Sequence, residues 1–281
     1  MTHLQAMNSL RPNQNTRSDG FSLVEIAVVL IIISVLLAIV ATPLATQIEQ
    51  RRTADTQRQL EVIKEALLGF ATATGRLPCP ATVASNGTEL FAAGGTAANG
   101  NCQQFVGFVP GVTLGLSSLD SNGFVVDAWG QTQNRIIYGV SSRIIPATGV
   151  PAACATPVPN PVLTSIDGIR AATMGCLADT APSVAMLTIC STTPTGAAGA
   201  ATNCTVPLTN KAPFVLISLG KNATTGGTGI DEAHNVDNTD FYFVSHTPTQ
   251  AGSASGEFDD IVTWGSLNTL FAKMLQAGRL P

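Results

Sequence analysis

The residue whose position most requires a chemical role is Glu25, which directly precedes a long uncharged segment. No Asp, Glu, Lys or Arg occurs between residues 26 and 48. A carboxylate beside hydrocarbon is costly, so it needs either a partner or a place at the headgroup boundary. Glu25 is therefore interpreted either as a residue that ends a membrane segment at the headgroups or as a group with a partner or a function.

A second set of carboxylates lies near the C-terminus and has the composition of a cation site. Residues 231–281 carry seven acidic and two basic side chains. Hard oxygen ligands in a loop suit calcium, which takes six to eight of them. Two interpretations stay open, a calcium site and a solvated acidic loop. The candidate ligands are Asp231, Asp237, Asp240, Asp259 and Asp260.

Six cysteines follow the uncharged segment, and their even number favours three disulfides among fifteen connectivities. No Cys-x-x-Cys pair occurs, and no histidine lies near a cysteine at ligand spacing, so a cysteine zinc site is not expected. Sequential pairing closes short loops and is the predicted connectivity. It joins Cys79 with Cys102, Cys154 with Cys176, and Cys190 with Cys204.

No pattern of residues indicates catalysis. His234 lies in the acidic region and His246 follows a predicted strand, and neither accompanies a nucleophile motif or a metal-ligand partner four residues on. No phosphate-binding glycine motif follows a strand. The net charge of −4 excludes nucleic-acid binding by bulk charge. The sequence predicts a protein that is not an enzyme and has no cofactor other than the candidate calcium.

The uncharged segment predicts a transmembrane helix at about residues 24–45, since roughly twenty apolar residues cross a hydrocarbon core. Arg11 and Arg17 precede it and favour a cytoplasmic N-terminus. The leader lacks the apolar region of a secretory signal peptide. Pro43 is expected either to kink or melt the helix around residues 39–43, or to end it.

The residues just before this helix carry a family resemblance. The string is Gly20-Phe21-Ser22-Leu23-Val24-Glu25, followed by the apolar run. It resembles the processing site of the type IV pilin family, which includes the pseudopilins of type II secretion, and the resemblance covers roughly residues 18–75. It implies cleavage after Gly20 by a prepilin peptidase, N-methylation at Phe21, and neutralisation by Glu25 of a neighbouring subunit's terminal amine. The leader, residues 1–20, is long and more similar to those of minor pilins and pseudopilins.

Two short segments extend the resemblance into the C-terminal part. The string Asp127-Ala128-Trp129-Gly130 is similar to a turn of the major pseudopilins, with Ala in place of Pro, and the segment around Gly220 is similar to the end of the same domains. Trp129 is alternatively a core aromatic residue beside a turn. The resemblance also implies a calcium ion in a C-terminal loop.

The hydrophobic pattern predicts an α+β fold. Residues 47–74 form an amphipathic helix, with Leu60, Ile63, Leu67 and Phe70 at helical spacing. Strands are predicted at 105–109, 135–140, 184–189, 214–219, 241–245 and 261–264, with a helix at 266–277 and an insertion of loops and short strands at 146–212. The predicted architecture is a long N-terminal helix, membrane half plus amphipathic half, packed on a mainly antiparallel β-sheet head with disulfide-bridged loops. The predicted divisions are a removed leader at 1–20, a spine helix at 21–75 and an exported head at 76–281.

Two functions from different classes follow. The first is a structural subunit of a type IV pilus or type II secretion pseudopilus, anchored once in the bacterial inner membrane with its head periplasmic or extracellular. Its partners would be the prepilin peptidase, other pilin-like subunits, the inner-membrane assembly machinery and the lipid bilayer. The alternative is a single-pass anchored binding or adhesive module that does not polymerise. Pilus and secretion pseudopilus, and major and minor subunit, stay open.

Overall fold

A computed structural model describes residues 20–145, 154, 157–178, 186–225, 229–237 and 239–280, without the side chains of residues 38–45 and 178. The chain forms two compact units, Met1–Glu49 and Gln50–Pro281. The predicted leader lies almost wholly outside the described residues, because only Gly20 of it is described.

Helix α1 runs from Leu23 to Thr74 without interruption, so the turn before Pro43 is not melted and the helix does not end there. In its C-terminal half, Leu60, Ile63 and Leu67 are buried at the predicted helical spacing. Gly75 ends the helix at a φ of 83°, and its N–H donates to the carbonyl of Ala71 at 2.8 Å. The predicted amphipathic helix is confirmed.

Across the part of the chain that the structure describes, no helix combines the length and the apolar character needed to cross a bilayer. The predicted span at 24–45 includes residues 38–45, whose side chains are outside the description.

Within the described residues, seven strands form two sheets rather than the one sheet predicted. The strands are β1 (Val106–Phe108), β2 (Ile137–Val140), β3 (Leu187–Cys190), β4 (Pro207–Ala212), β5 (Phe214–Ser218), β6 (Tyr242–Val244) and β7 (Ile261–Trp264). The first sheet has the order β1-β2-β5-β7 and is antiparallel throughout. The second has the order β4-β3-β6, in which β3 pairs antiparallel with β4 and parallel with β6.

In the described part of the chain, four further α-helices accompany the sheets: α2 (Gly168–Ala172), α3 (Met174–Ala178), α4 (Ile230–Val236) and α5 (Leu267–Gln276). Helix α5 matches the predicted C-terminal helix, although the side chain of Ser266 makes no capping hydrogen bond. The sequence analysis did not predict α2, α3 or α4. The segment predicted as loops and short strands therefore contains the two short helices α2 and α3 as well.

The core has two parts, one on each face of the first sheet. Phe214 and Leu216 of β5 belong to the cluster that includes α1 and α5, whereas Val215 and Ile217 belong to the cluster shared with the second sheet. Because alternate residues of a strand point to opposite faces, β5 is buried on both sides. The first sheet is thus covered by helices on one face and by the second sheet on the other.

Three disulfides join the cysteines in sequence order, as predicted: Cys79 with Cys102, Cys154 with Cys176, and Cys190 with Cys204. Their separations of 23, 22 and 14 residues close loops outside the strands. Each disulfide constrains the unfolded chain, so the crosslinked segment loses less conformational entropy on folding.

Candidate functional site

The bond between Gly20 and Phe21 lies in an exposed segment without regular secondary structure, immediately before α1. Phe21 is 79% exposed, and a Cβ placed on Gly20 would meet no atom within 4 Å. Ser22 caps the helix, because its Oγ accepts the N–H of Val24 at 3.3 Å. The cap fixes the start of the helix two residues after the bond and leaves the bond outside it.

Glu25 lies in the first turn of α1, where the unpaired amides of a helix favour a negative charge. None of the described residues pairs with its carboxylate.

The five predicted calcium ligands do not form one group. Asp231 of α4 accepts hydrogen bonds from Thr193 Oγ1 at 2.6 Å and lies 3.1 Å from Nε2 of His246. The other four divide between two groups that could each hold a metal ion. Among the described residues, the five aspartates therefore do not form a single group, and calcium binding stays a prediction.

The first group consists of Glu232, Asp259 and Asp260, with one ligand oxygen from each within 4.8 Å of the others. Glu232 Oε1 accepts the N–H of Asp259 at 3.0 Å, and Asp260 Oδ2 accepts from Nδ2 of Asn235 at 2.8 Å. Asp259 Oδ2 accepts the N–H of Lys221, whereas its Oδ1 is buried and has no hydrogen-bond partner among the described residues. One carboxylate oxygen of a residue in this group is thus buried without a donor among the described residues.

Burial and mutual repulsion disfavour the charges of this group. Burial, together with the charges of Glu232 and Glu257, raises the pKa of Asp259 to about 6. Burial likewise raises the pKa of Asp260 well above its usual value, and Glu232 and Asp259 add to the shift. A divalent cation would attract all three carboxylates and so offset their mutual repulsion. The group, in which Oδ1 of Asp259 has no hydrogen-bond partner among the described residues, therefore fits a hard cation such as calcium.

The second group consists of His234, Asp237 and Asp240. Sequence analysis included neither His234 nor Glu232 among the ligands. Because the sequence did not predict α4, it did not show which of its residues share a face of the helix. Residues 232 and 259 are also distant in sequence, so nothing indicated that they lie close together.

The side chain of Asp127 stabilises the fold through hydrogen bonds. Its carboxylate is buried and accepts from Ser218 Oγ at 2.6 Å, from Asn134 Nδ2 at 3.0 Å and from the N–H of Trp129 at 2.9 Å. Asn134 also donates to the carbonyl of Gly220 at 2.6 Å. The two short segments singled out in the sequence are therefore joined by hydrogen bonds, and Trp129 is only partly buried.

Residues 15–41 match the family model described as the prokaryotic N-terminal methylation motif, the hallmark of type IV pilin and pseudopilin families. The match includes Gly20, Phe21 and Glu25 and ends well before the sheets. Comparisons with curated proteins and with solved structures gave no match. The motif supports a pilin-like or pseudopilin-like protein in general, a structural rather than a catalytic class. It implies processing by a prepilin peptidase and assembly with other pilins.

Proposed function

We propose that this chain, which carries the N-terminal methylation motif of pilins and pseudopilins, is a structural subunit of a type IV pilus or type II secretion pseudopilus. It is cleaved after Gly20, methylated at Phe21 and assembled through α1, as a minor pilin or a pseudopilin. It is anchored once in the bacterial inner membrane, with its head on the periplasmic or extracellular side, and it catalyses no reaction.

The observation that carries this proposal is the matched motif at residues 15–41, at the start of a 52-residue helix. The geometry of the segment is compatible with processing, because the bond after Gly20 is exposed and lies outside the helix. Gly20 also allows close approach of a peptidase to the backbone.

Glu25 supplies the assembly chemistry in this proposal. Cleavage creates an amine at Phe21, and both the amine and the carboxylate are costly in a low-dielectric environment. Pairing the amine of one subunit with Glu25 of another removes both costs and sets the register between neighbouring helices. The remaining contacts in a filament core would come from helix packing.

Replacement of Glu25 by Ala tests the proposal. In cells that contain the assembly machinery, Glu25→Ala should still be cleaved but should be lost from the sheared filament fraction. The matched control is Glu61→Ala on the same helix, where Glu61 forms an exposed pair with Lys64 at 3.1 Å, and this variant should assemble normally. Incorporation of Glu25→Ala at the wild-type level would overturn the assembly role of Glu25.

One observation favours the alternative of an anchored binding module. A cavity of about 630 Å³ opens beside β1, within the size range of small-ligand sites. Its apolar lining residues include Val106, Phe108, Ile137, Leu219 and Val236. A module of this kind would keep ligand binding in Glu25→Ala, and the wild-type chain would be absent from filaments.

We also propose that the head binds calcium at Glu232, Asp259 and Asp260. The support is the close approach of the three ligand oxygens and the unpartnered, buried Oδ1 of Asp259. Calorimetric titration of the full chain with Ca²⁺ should show binding that Asp260→Asn weakens. An absence of heat and of any gain in melting temperature would remove the calcium proposal and leave the assembly proposal intact.

A further inference from the structure

The C-terminal end of α4 holds a cluster whose chemistry differs from that of the calcium candidate. A ring nitrogen of His234 and one carboxylate oxygen from each of Asp237 and Asp240 lie within 4.8 Å of one another. His234 is 1% exposed, and its Nδ1 is buried with no hydrogen-bond partner among the described residues. A buried ring nitrogen without a partner is unfavourable in either tautomer, because it is an unpaired donor in one and an unpaired acceptor in the other.

The two carboxylates of this cluster are fixed in place by backbone amides. Asp237 Oδ2 accepts the N–H of Gly199 at 2.8 Å, and Asp240 Oδ2 accepts the N–H of Ala201 at 2.8 Å. Their Oδ1 atoms accept local amides, from Thr239 to Asp237 at 3.0 Å and from Tyr242 to Asp240 at 3.0 Å. Each oxygen that accepts one hydrogen bond keeps a second lone pair, so both carboxylates can still coordinate an ion.

No compensating positive side chain accompanies these charges. Within the described part of the chain, no Lys or Arg forms an ion pair with Asp237 or Asp240. The amides that hold the carboxylates are neutral. The cluster therefore combines two oriented carboxylates with a buried imidazole, one nitrogen of which has no partner among the described residues, and a metal ion would satisfy these groups together.

We propose that His234, Asp237 and Asp240 form a site for a divalent transition-metal ion of the zinc class. One imidazole and two carboxylates are a ligand set that zinc accepts, with water in the fourth position. Calcium and magnesium prefer oxygen ligands alone, so the buried imidazole selects against them. This site is separate from the calcium candidate, and it does not depend on filament assembly.

Such an ion would strengthen the attachment of the loop closed by Cys190 and Cys204. Gly199 and Ala201 belong to that loop, and their amides already contact the two carboxylates. The ion would hold these carboxylates to His234 of α4. Zinc binding should therefore protect the amides of this loop from hydrogen exchange, without changing the exchange of β5.

The test uses the full chain, purified in detergent without a histidine tag and dialysed against Zn²⁺ in the presence of excess Ca²⁺. The wild-type protein should retain one zinc ion per chain. His234→Asn should lower the affinity by at least about tenfold. The matched controls are His246→Asn, whose ring pairs with Asp231, and His3→Asn, and both should retain zinc. Equal zinc content in His234→Asn and the wild type would overturn the proposal.

Because His234 is buried, its replacement could also disturb folding, so two further measurements keep the proposal testable. Asp240→Asn retains an acceptor oxygen and should also lose zinc. X-ray absorption of the wild-type zinc form should show one imidazole nitrogen and oxygen ligands at about 2.0–2.2 Å. A spectrum without an imidazole ligand, or a wild-type protein that binds no zinc, would contradict the site.

Discussion

Asp120 and Arg135 form a largely buried ion pair in the head. Asp120 Oδ2 accepts from Nε and Nη2 of Arg135 at 2.9 and 2.8 Å, and its Oδ1 accepts the N–H groups of Phe124 and Asn122. Burial alone would raise the pKa of Asp120, but these hydrogen bonds outweigh it and lower the pKa. The guanidinium also lies 4.1 Å from the ring centroid of Phe124. Both oxygens of this carboxylate thus accept two hydrogen bonds each.

Asp120→Ala should lower the free energy of unfolding by about 2–3 kcal/mol, because it leaves Arg135 and two amides without their acceptor. The pair Glu61 and Lys64 is exposed, so Glu61→Ala should change it by less than about 0.5 kcal/mol. Chemical denaturation measures both. Because the pKa of Asp120 is lower in the folded than in the unfolded state, its ionised carboxylate stabilises the fold at pH values above the unfolded pKa. This stabilisation is lost as the pH falls through the folded pKa. Equal effects of the two variants would contradict this account.

Asp259 should make stability depend on pH in the opposite direction. Its folded pKa of about 6 lies above the ordinary value of 3.8, so the folded state binds the proton more tightly. Its contribution therefore becomes less favourable as pH rises from about 4 to about 6. With a chelator present, the melting temperature of Asp259→Asn should fall less than that of the wild type between pH 4 and pH 7.

The effect of added calcium on the melting temperature is a second test of the role of Asp259. At pH 7, added Ca²⁺ should raise the melting temperature of the wild type and leave that of Asp259→Asn nearly unchanged. Identical pH profiles for the two proteins in the chelator would show that Asp259 is not the group responsible.

At the scale of elements, the C-terminal half of α1 is the main apolar support of the first sheet. Leu67 is fully buried, whereas Val62 on the same helix is 60% exposed. Leu67→Ala should lower the free energy of unfolding by about 2–5 kcal/mol, through lost transfer energy and a cavity. Val62→Ala should change it by no more than about 0.5 kcal/mol. Comparable losses in the two variants would show that the helix does not pack as described.

The elements with a strong repeating pattern could be predicted from the sequence. The buried face of α1 follows the helical period, and β5, β7 and α5 occur within a residue or so of their predicted positions. Strand β4 was missed because it contains Pro207, Asn210 and Lys211 and is mostly exposed, so no alternation marked it. Helices α2 and α3 have five residues each, too few to show a helical period.

The second sheet could not be predicted because it depends on contacts distant in sequence. Strand β3 pairs in parallel with β6, more than fifty residues later, and no local pattern encodes that pairing. The same reason applies to the metal groups, since Glu232 meets Asp259 only after α4 and β7 are in place. The acidic composition drew attention to this region, but the grouping of its side chains depends on the fold.

At the scale of the whole molecule, the N-terminal motif and the features of the head lie in different compact units. The methylation motif at residues 15–41 lies within the unit Met1–Glu49, and the disulfides and both metal groups lie within Gln50–Pro281. A variant of the head, such as Asp259→Asn or His234→Asn, should therefore be processed at the N-terminus as efficiently as the wild type.

The central claim is that the chain is processed as a pilin-like subunit, and the most direct test is the intact mass of the protein after co-expression with a prepilin peptidase. The account predicts a mass that corresponds to residues 21–281 plus one methyl group, with the methyl located on the amine of Phe21 by fragmentation. A mass that still includes residues 1–20 would contradict the account and favour the anchored binding module.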